Sequence, residues 1–171
     1  MSTMIWTGSN QRIPEYHAWT ALCVGLGAKT YVELGCGSSH EQAEAGLRVV
    51  TVDVLPNGLG GIEHVQGSSH DLETMHKVLS ILGDRPDIVF IDADHETEAV
   101  RMDFDMWYPA AKIAVGFHDV CMKTVSDFWE EVCKKYPSIQ LMARDHESAA
   151  KWQTHHQDGL IGVGGVGVIF K

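Results

Sequence analysis

Acidic side chains stand at the ends of several short apolar runs in the sequence. Asp53 follows RVVTV, Asp92 follows DIVFI, Asp119 comes directly after KIAVGFH, and Glu33 lies near the end of TYVEL. In an open α/β sheet, ligands bind outside the carboxyl ends of the strands, so these acids are expected along one edge. A buried carboxylate is costly unless it is paired, hydrogen-bonded or metal-bound. Each acid alone could cap a helix, but the set indicates a binding or catalytic edge.

A glycine-rich turn follows the first of these runs and reads ELGCGSS. Gly35 and Gly37 permit a tight turn and a close approach of the backbone to a ligand, with helix N–H groups beyond. The third glycine of a dinucleotide fingerprint is absent, since Ser39 or His40 occupies its place. Asp53, at the end of the next strand, is placed to accept hydrogen bonds from a ribose diol.

Apolar spacing predicts an alternation of strands and helices that positions these residues. The predicted strands cover residues 30–34, 48–53, 62–66, 87–91, 112–117, 138–143 and 162–170. Helices are predicted over residues 14–26, 41–45, 96–108 and 124–136, with another, capped by Ser68 or Ser69, that carries an apolar stripe up to residue 82. Such alternation implies right-handed crossovers and a mostly parallel sheet. We therefore expect one Rossmann-like α/β domain over residues 1–171, with about seven strands, the last antiparallel, and helices on both faces.

Within that domain, residues 1–29 form an N-terminal helix region, residues 30–120 carry the motifs, and residues 121–171 supply a last helix and strands. Residues 144–159 are polar and predict a loop.

Composition restricts the partners of the chain. Its 171 residues have a formal net charge of −10, which disfavours nucleic acid and anionic membranes. The sequence predicts neither a membrane span nor a signal peptide. The four cysteines form no CxxC pair, which fits a reducing cytoplasmic environment. A homodimer is left open beside a monomer.

Three segments together resemble a known family. VELGCGSS, at residues 32–39, resembles the first motif of class I S-adenosylmethionine-dependent methyltransferases. FIDADHETEAVRMDFDMW, at residues 90–107, and VGFHDV, at residues 115–120, resemble a subgroup with an "IDADH" segment and a later "HD". This subgroup includes O-methyltransferases, cephalosporin-hydroxylase-like proteins and relatives of macrolide-sugar methyltransferases. The resemblance covers about residues 30–120, and it implies methyl transfer to a hydroxyl oxygen of a small-molecule acceptor.

The resemblance also implies a cofactor site. The methionine portion of S-adenosylmethionine would contact the glycine turn, the ribose would bind the acid of the second strand, and the adenine would lie near the residues that follow the second and third strands. The implied cofactor-binding residues are Glu33, Gly35, Cys36, Gly37, Asp53, Val54, Ser68, Ser69 and Asp92.

A metal site and a base are implied in the same way. In metal-dependent relatives the matching acids bind a divalent cation, which assigns Mg2+ or Mn2+ to Asp92 and Asp119 here. His95 matches the catalytic base, with Asp92 beside it; its alternative role is a helix cap. His118 stands where other members carry an acid. Its nitrogen as a third ligand would favour Mn2+, Zn2+ or Fe2+ over Mg2+, and the alternative is a histidine hydrogen-bonded beside Asp119.

Two other functions share part of this pattern. A non-catalytic module that binds S-adenosylmethionine or a nucleotide would keep the binding edge without turnover, and the short chain favours it. An NAD-dependent oxidoreductase would share the glycine turn and Asp53, but it leaves Asp92 and Asp119 unexplained.

Overall fold

The computed structural model describes residues 13–37, 39–56, 60–142 and 164–171. Its helices are α1 (Ile13–Gly25), α2 (His40–Glu44), α3 (Leu72–Leu82), α4 (Thr97–Trp107) and α5 (Lys123–Val132). Its strands are β1 (Thr30–Leu34), β2 (Arg48–Asp53), β3 (Glu63–Gln66), β4 (Ile88–Ile91), β5 (Ala114–Phe117), β6 (Ser138–Leu141) and β7 (Val166–Phe170). Over these described ranges, no helix has the length and apolarity needed to cross a membrane.

The strands form a seven-stranded sheet in the order β3-β2-β1-β4-β5-β7-β6. The pairs among β1 to β5 are parallel, whereas β7 runs antiparallel to both β5 and β6. This confirms the predicted sheet with its antiparallel last strand. The order of the strands, which periodicity could not give, reverses between β1 and β4. A reversal of this kind opens a crevice at the carboxyl ends of the two strands.

Both faces of the sheet are covered by the apolar sides of helices. On one face α3, α4 and α5 pack against β-strand residues such as Val32 and Val89. On the other face α1 packs Trp19 and Cys23 against alternate strand residues such as Tyr31 and Phe90. Strands covered on both sides read as continuous apolar runs, which explains why they were recognisable in the sequence.

The start of α3 corrects one expectation. Its N-cap is Asp71, whose side chain accepts a hydrogen bond from the Glu73 amide, and not Ser68 or Ser69. The Ser68 hydroxyl instead accepts from the His70 amide at 3.2 Å, and its carbonyl accepts from the Asp71 amide at 3.1 Å. The serines therefore form a turn that precedes the helix.

At the C-terminal end, α5 is shorter than predicted, because it ends at Val132 and residues up to Tyr136 form turns. The predicted loop at residues 144–159 and the first residues of the predicted last strand, 162 and 163, lie outside the described residues.

Candidate active site at the carboxyl edge of the sheet

The turn after β1, residues 34–37 with Ser39, is called the glycine loop here, and it packs directly on the end of β4. Gly35 has a φ of +92°, and its amide donates to the Val52 carbonyl at 2.7 Å. A Cβ at Gly35 would lie 2.1 Å from the carbonyl oxygen of Asp92. Glycine is therefore required here both by its φ and by the close approach of two backbones. The loop and the end of β4 form one continuous surface.

Two carboxylates flank the middle of the glycine loop. Glu33 is fully buried, and its Oε2 accepts a hydrogen bond from the Ser39 hydroxyl at 2.5 Å. A Cβ at Gly37 would lie 3.5 Å from Asp92 Oδ2 and 3.7 Å from Glu33 Oε1. Gly37 thus lies over a pair of acids, an environment that suits a cationic group of a ligand.

Asp53 joins the glycine loop to the end of β2. Its Oδ2 accepts from the Cys36 amide at 3.1 Å, and its Oδ1 accepts from the Leu55 amide at 2.8 Å. Because each carboxylate oxygen has two lone pairs, both can accept a further hydrogen bond. Next to it, Val54 is 66% exposed. A fixed carboxylate beside exposed apolar surface suits a ribose and the base attached to it.

The β3–α3 loop, residues 67–71, lies beside Asp53. The Gly67 amide donates to the Asp53 carbonyl at 2.8 Å, which fixes the start of this loop against the end of β2. Ser68 is exposed, whereas Ser69 is half-buried. The carbonyl of Ser69 accepts from the indole nitrogen of Trp107 at 2.9 Å. The two serines therefore lie in a loop that is bonded to the backbone of Asp53, and their place near the adenine stays a prediction.

On the other side of the glycine loop, four side chains from the ends of β4 and β5 form an acid–imidazole cluster: Asp92, His95, His118 and Asp119. One ligand atom from each lies within 4.8 Å of all the others. His118 Nδ1 lies 3.0 Å from Asp92 Oδ1 and 3.3 Å from Asp119 Oδ2. His95 Nε2 lies 3.1 Å from Asp119 Oδ2 and 3.7 Å from Asp92 Oδ1. The structure thus brings together all four residues singled out at these strand ends.

The charges of the cluster balance one another. Contacts with Asp119 and Asp92 raise the pKa of His95 to about 9. Burial disfavours the charged form of His118, but Asp92 and Asp119 overcome it and raise its pKa to about 10. Burial likewise opposes ionisation of the two acids, yet the imidazoliums hold both carboxyl pKa values below their usual range. At neutral pH two carboxylates therefore face two imidazoliums.

Asp119 is anchored by a backbone amide from just before the last strand, which the sequence did not predict. Its φ is +53°, which is uncommon for a residue other than glycine. Its Oδ1 accepts from the Gly164 amide at 2.6 Å, while Oδ2 faces the imidazoles. The amide of Gly165 donates to the buried Glu15 at 2.9 Å. The Gly-Gly pair before the last strand was the available signal for this anchor.

The donor set of the cluster fits a divalent transition-metal ion. Two imidazole nitrogens and two carboxylate oxygens suit Mn2+, Fe2+ or Zn2+, whereas Mg2+ prefers oxygen ligands alone. The second ring nitrogen of His118, Nε2, is buried and has no hydrogen-bond partner among the residues that the structure describes. A buried nitrogen without a partner is costly, and a bound ligand or water is the usual remedy.

Comparisons with known proteins define the fold. No protein-family model matches the sequence, and no curated protein matches it. Among solved structures, the O-methyltransferase from Bacillus cereus in complex with SAH aligns with a TM-score of 0.62 at 14% identity, over 95% of this chain and 83% of that one. The O-methyltransferase TomG from Streptomyces achromogenes, involved in tomaymycin synthesis and solved with SAM, aligns with a TM-score of 0.59 at 15% identity, over 93% and 80%.

A third similar structure is the MycE methyltransferase from the mycinamycin biosynthetic pathway, solved with Mg and SAH. It aligns with a TM-score of 0.59 at 14% identity over 92% of this chain. This chain spans 48% of the MycE chain. The chain therefore has the Rossmann-like fold found in S-adenosylmethionine-dependent O-methyltransferases.

Proposed function

We propose that the chain is an S-adenosylmethionine-dependent methyltransferase that acts on a hydroxyl oxygen of a small molecule. The observation that carries this proposal is the continuous edge on which a glycine loop, a ribose-type carboxylate and an acid–imidazole cluster adjoin. Such an edge at a strand-order reversal is where open α/β sheets bind ligands. When bound, S-adenosylmethionine would supply a methyl group on a sulfonium, which is already an activated leaving group.

The residues around the glycine loop would hold and orient that cofactor. Glu33 and Asp92, which flank Gly37, would bind the amino group of the methionine portion. Asp53 would accept hydrogen bonds from the ribose hydroxyls, and Val54 would pack against the adenine. Orientation matters because alignment of two reactants can lower a barrier by roughly 7–11 kcal/mol.

The cluster would act on the acceptor. A hydroxyl must lose its proton when its oxygen is methylated, and a positioned base typically contributes about 10²–10⁴-fold. His95 is the member of the cluster with the most exposed side chain, at 37%, against 12% for Asp92 and 4% for His118. Its Nε2 is buried against Asp119, so the rest of the ring is the part that an acceptor can approach, and we assign His95 the role of base.

The same carboxylates that raise the pKa of His95 would bind a divalent cation. Asp92 and Asp119, with His118, would hold the ion, which when bound lowers the pKa of a coordinated hydroxyl. Positive charge close to the carboxylates also offsets their effect on His95, so that the imidazole loses its proton more readily.

Methyl transfer from isotopically labelled S-adenosylmethionine to a panel of small hydroxyl compounds tests this proposal, with and without Mn2+ or Mg2+. We expect a labelled methyl ether and S-adenosylhomocysteine in equal amounts. S-adenosylhomocysteine binding without transfer to any compound would favour the non-catalytic module. In the cluster both imidazoles are paired with carboxylates, so neither is a free base. A non-catalytic module needs no free base, and this observation is therefore compatible with the second function.

A further inference from the structure

A fifth buried acid, Asp103, lies in the middle of α4 and outside the cluster. Its side chain is fully buried, and neither of its carboxylate oxygens accepts a well-aligned hydrogen bond from any described residue. Its neighbours along the helix, Val100, Phe104 and Trp107, belong to the apolar core. A carboxylate in such surroundings costs stability unless a partner compensates it. The partners available to it come from the β3–α3 loop.

One face of α4 holds that loop at three points. His70 Nε2 lies 3.2 Å from Asp103 Oδ1 and 3.2 Å from the Ala99 carbonyl, and Trp107 donates to the Ser69 carbonyl at 2.9 Å. Ala99, Asp103 and Trp107 are spaced four residues apart, so they lie on one face of the helix. Burial raises the pKa of Asp103 to about 6, against the opposing influence of Ser69 and His70.

The loop held in this way borders Asp53, the carboxylate proposed to bind the ribose. Its first amide, that of Gly67, is bonded to the Asp53 carbonyl, and a Cβ at Gly67 would lie 2.2 Å from Thr74 Oγ1. The loop is therefore fixed by β2 at one end and by α3 behind it. Between those points, the contacts with α4 set where Ser69 and His70 lie.

We propose that Asp103 is a positioning residue for the cofactor, acting through Ser69 and His70 to hold the β3–α3 loop against the adenosine portion. This inference rests on the proposed function, since it presupposes that S-adenosylmethionine binds at this edge. Among the described residues, His70 and Ser69 of the β3–α3 loop are the groups that favour the ionised Asp103, whereas Asp94 is a like charge. The acid is therefore placed to act on that loop.

Two substitutions separate positioning from a structural role. Asp103→Asn keeps the shape and removes the charge. Asp103→Leu has a similar branched outline and removes the polar atoms, and with them the cost of burying a carboxyl group in an apolar core. Asp105→Asn, two residues further along α4 and exposed, is the matched control.

Calorimetric titration with S-adenosylhomocysteine and thermal unfolding are measured on all four proteins. We expect Asp103→Asn and Asp103→Leu to weaken S-adenosylhomocysteine about tenfold or more, with Asp103→Leu unfolding at or above the wild-type temperature and Asp105→Asn unchanged in both. In turnover, the Asp103 variants should raise the KM for S-adenosylmethionine by about the same factor and leave kcat nearly unchanged.

Wild-type affinity in either Asp103 variant would overturn the inference. So would a loss of affinity that only accompanies a loss of the folded state in both variants, since that outcome assigns Asp103 to the fold. A wild-type chain that binds no S-adenosylhomocysteine would instead contradict the proposed function, on which the inference depends.

Discussion

Around the glycine loop the polar groups that meet are mostly backbone amides and carboxylates, whereas between β4 and β5 they are side chains of opposite charge. Asp53 accepts two backbone hydrogen bonds and retains lone pairs for a ligand. In the acid–imidazole cluster, by contrast, the carboxylates already face imidazoliums. The first region is organised to receive a ligand as it stands. In the second, a divalent cation would bind only by displacing protons from the imidazoliums that now face the carboxylates.

The two regions meet where Gly35 packs on the backbone of Asp92, and disrupting this contact should have the largest effect. Gly35→Ala would place a methyl group 2.1 Å from the Asp92 carbonyl oxygen, so we expect a loss of more than about 4 kcal/mol in the free energy of unfolding. S-adenosylhomocysteine binding should be lost as well. Urea unfolding measures the first effect and calorimetry the second.

Gly46→Ala is the matched control, because Gly46 has a similar φ of +90° and nothing within 4 Å of an added Cβ. It should cost only about 1–2 kcal/mol, the strain of the left-handed backbone. Equal losses in the two variants would mean that the contact between the glycine loop and β4 is unimportant.

A substitution confined to the cluster should affect turnover and not cofactor affinity. Replacing His95 by glutamine removes the proposed base, so kcat should fall by about 10²-fold or more while the Kd for S-adenosylhomocysteine stays within about twofold. His17→Gln changes an exposed histidine that is paired with Glu41 and lies outside the cluster, and it should change neither. If His95→Gln keeps its turnover number and unfolds at lower temperature, His95 stabilises the fold and is not the base; the N-cap of α4 is Glu96.

On the cofactor side, we expect a smaller effect, which is a pH dependence of the free energy of unfolding caused by Asp103. The pKa of Asp103 is raised to about 6, so the folded state binds its proton more tightly than the unfolded state does. Its contribution to stability is therefore fully present below about pH 4 and is lost as pH rises through about 6, on the order of 2–3 kcal/mol in all. The titratable groups that face it are His70 and Asp94.

The check is urea unfolding of the wild type and of Asp103→Leu at pH 4.5 and pH 7.5. The variant should gain stability relative to the wild type at the higher pH. A difference between the two proteins that does not change with pH would contradict the buried, titrating carboxylate.

The sequence predicted the positions of the strand-end acids better than their partners. Asp92 and Asp119 were recognisable because buried parallel strands are continuous apolar runs that end abruptly. The contact of His118 with Asp92 depends on β5 lying next to β4, and strand order leaves no trace in periodicity. The anchoring of Asp119 by Gly164 comes from a segment more than forty residues away. Asp103 was hidden for a related reason, since its contact with His70 joins α4 to a loop from a different part of the chain.

The most direct test of the proposed function is a calorimetric titration of the wild-type chain with S-adenosylhomocysteine and, separately, with NAD. The Asp53→Ala variant is titrated alongside. We predict saturable binding of S-adenosylhomocysteine, none of NAD, and an affinity about tenfold or more lower in Asp53→Ala, because a charge-assisted hydrogen bond to a ribose hydroxyl is lost. Binding of NAD in place of S-adenosylhomocysteine, or unchanged affinity in a folded Asp53→Ala protein, would contradict the account.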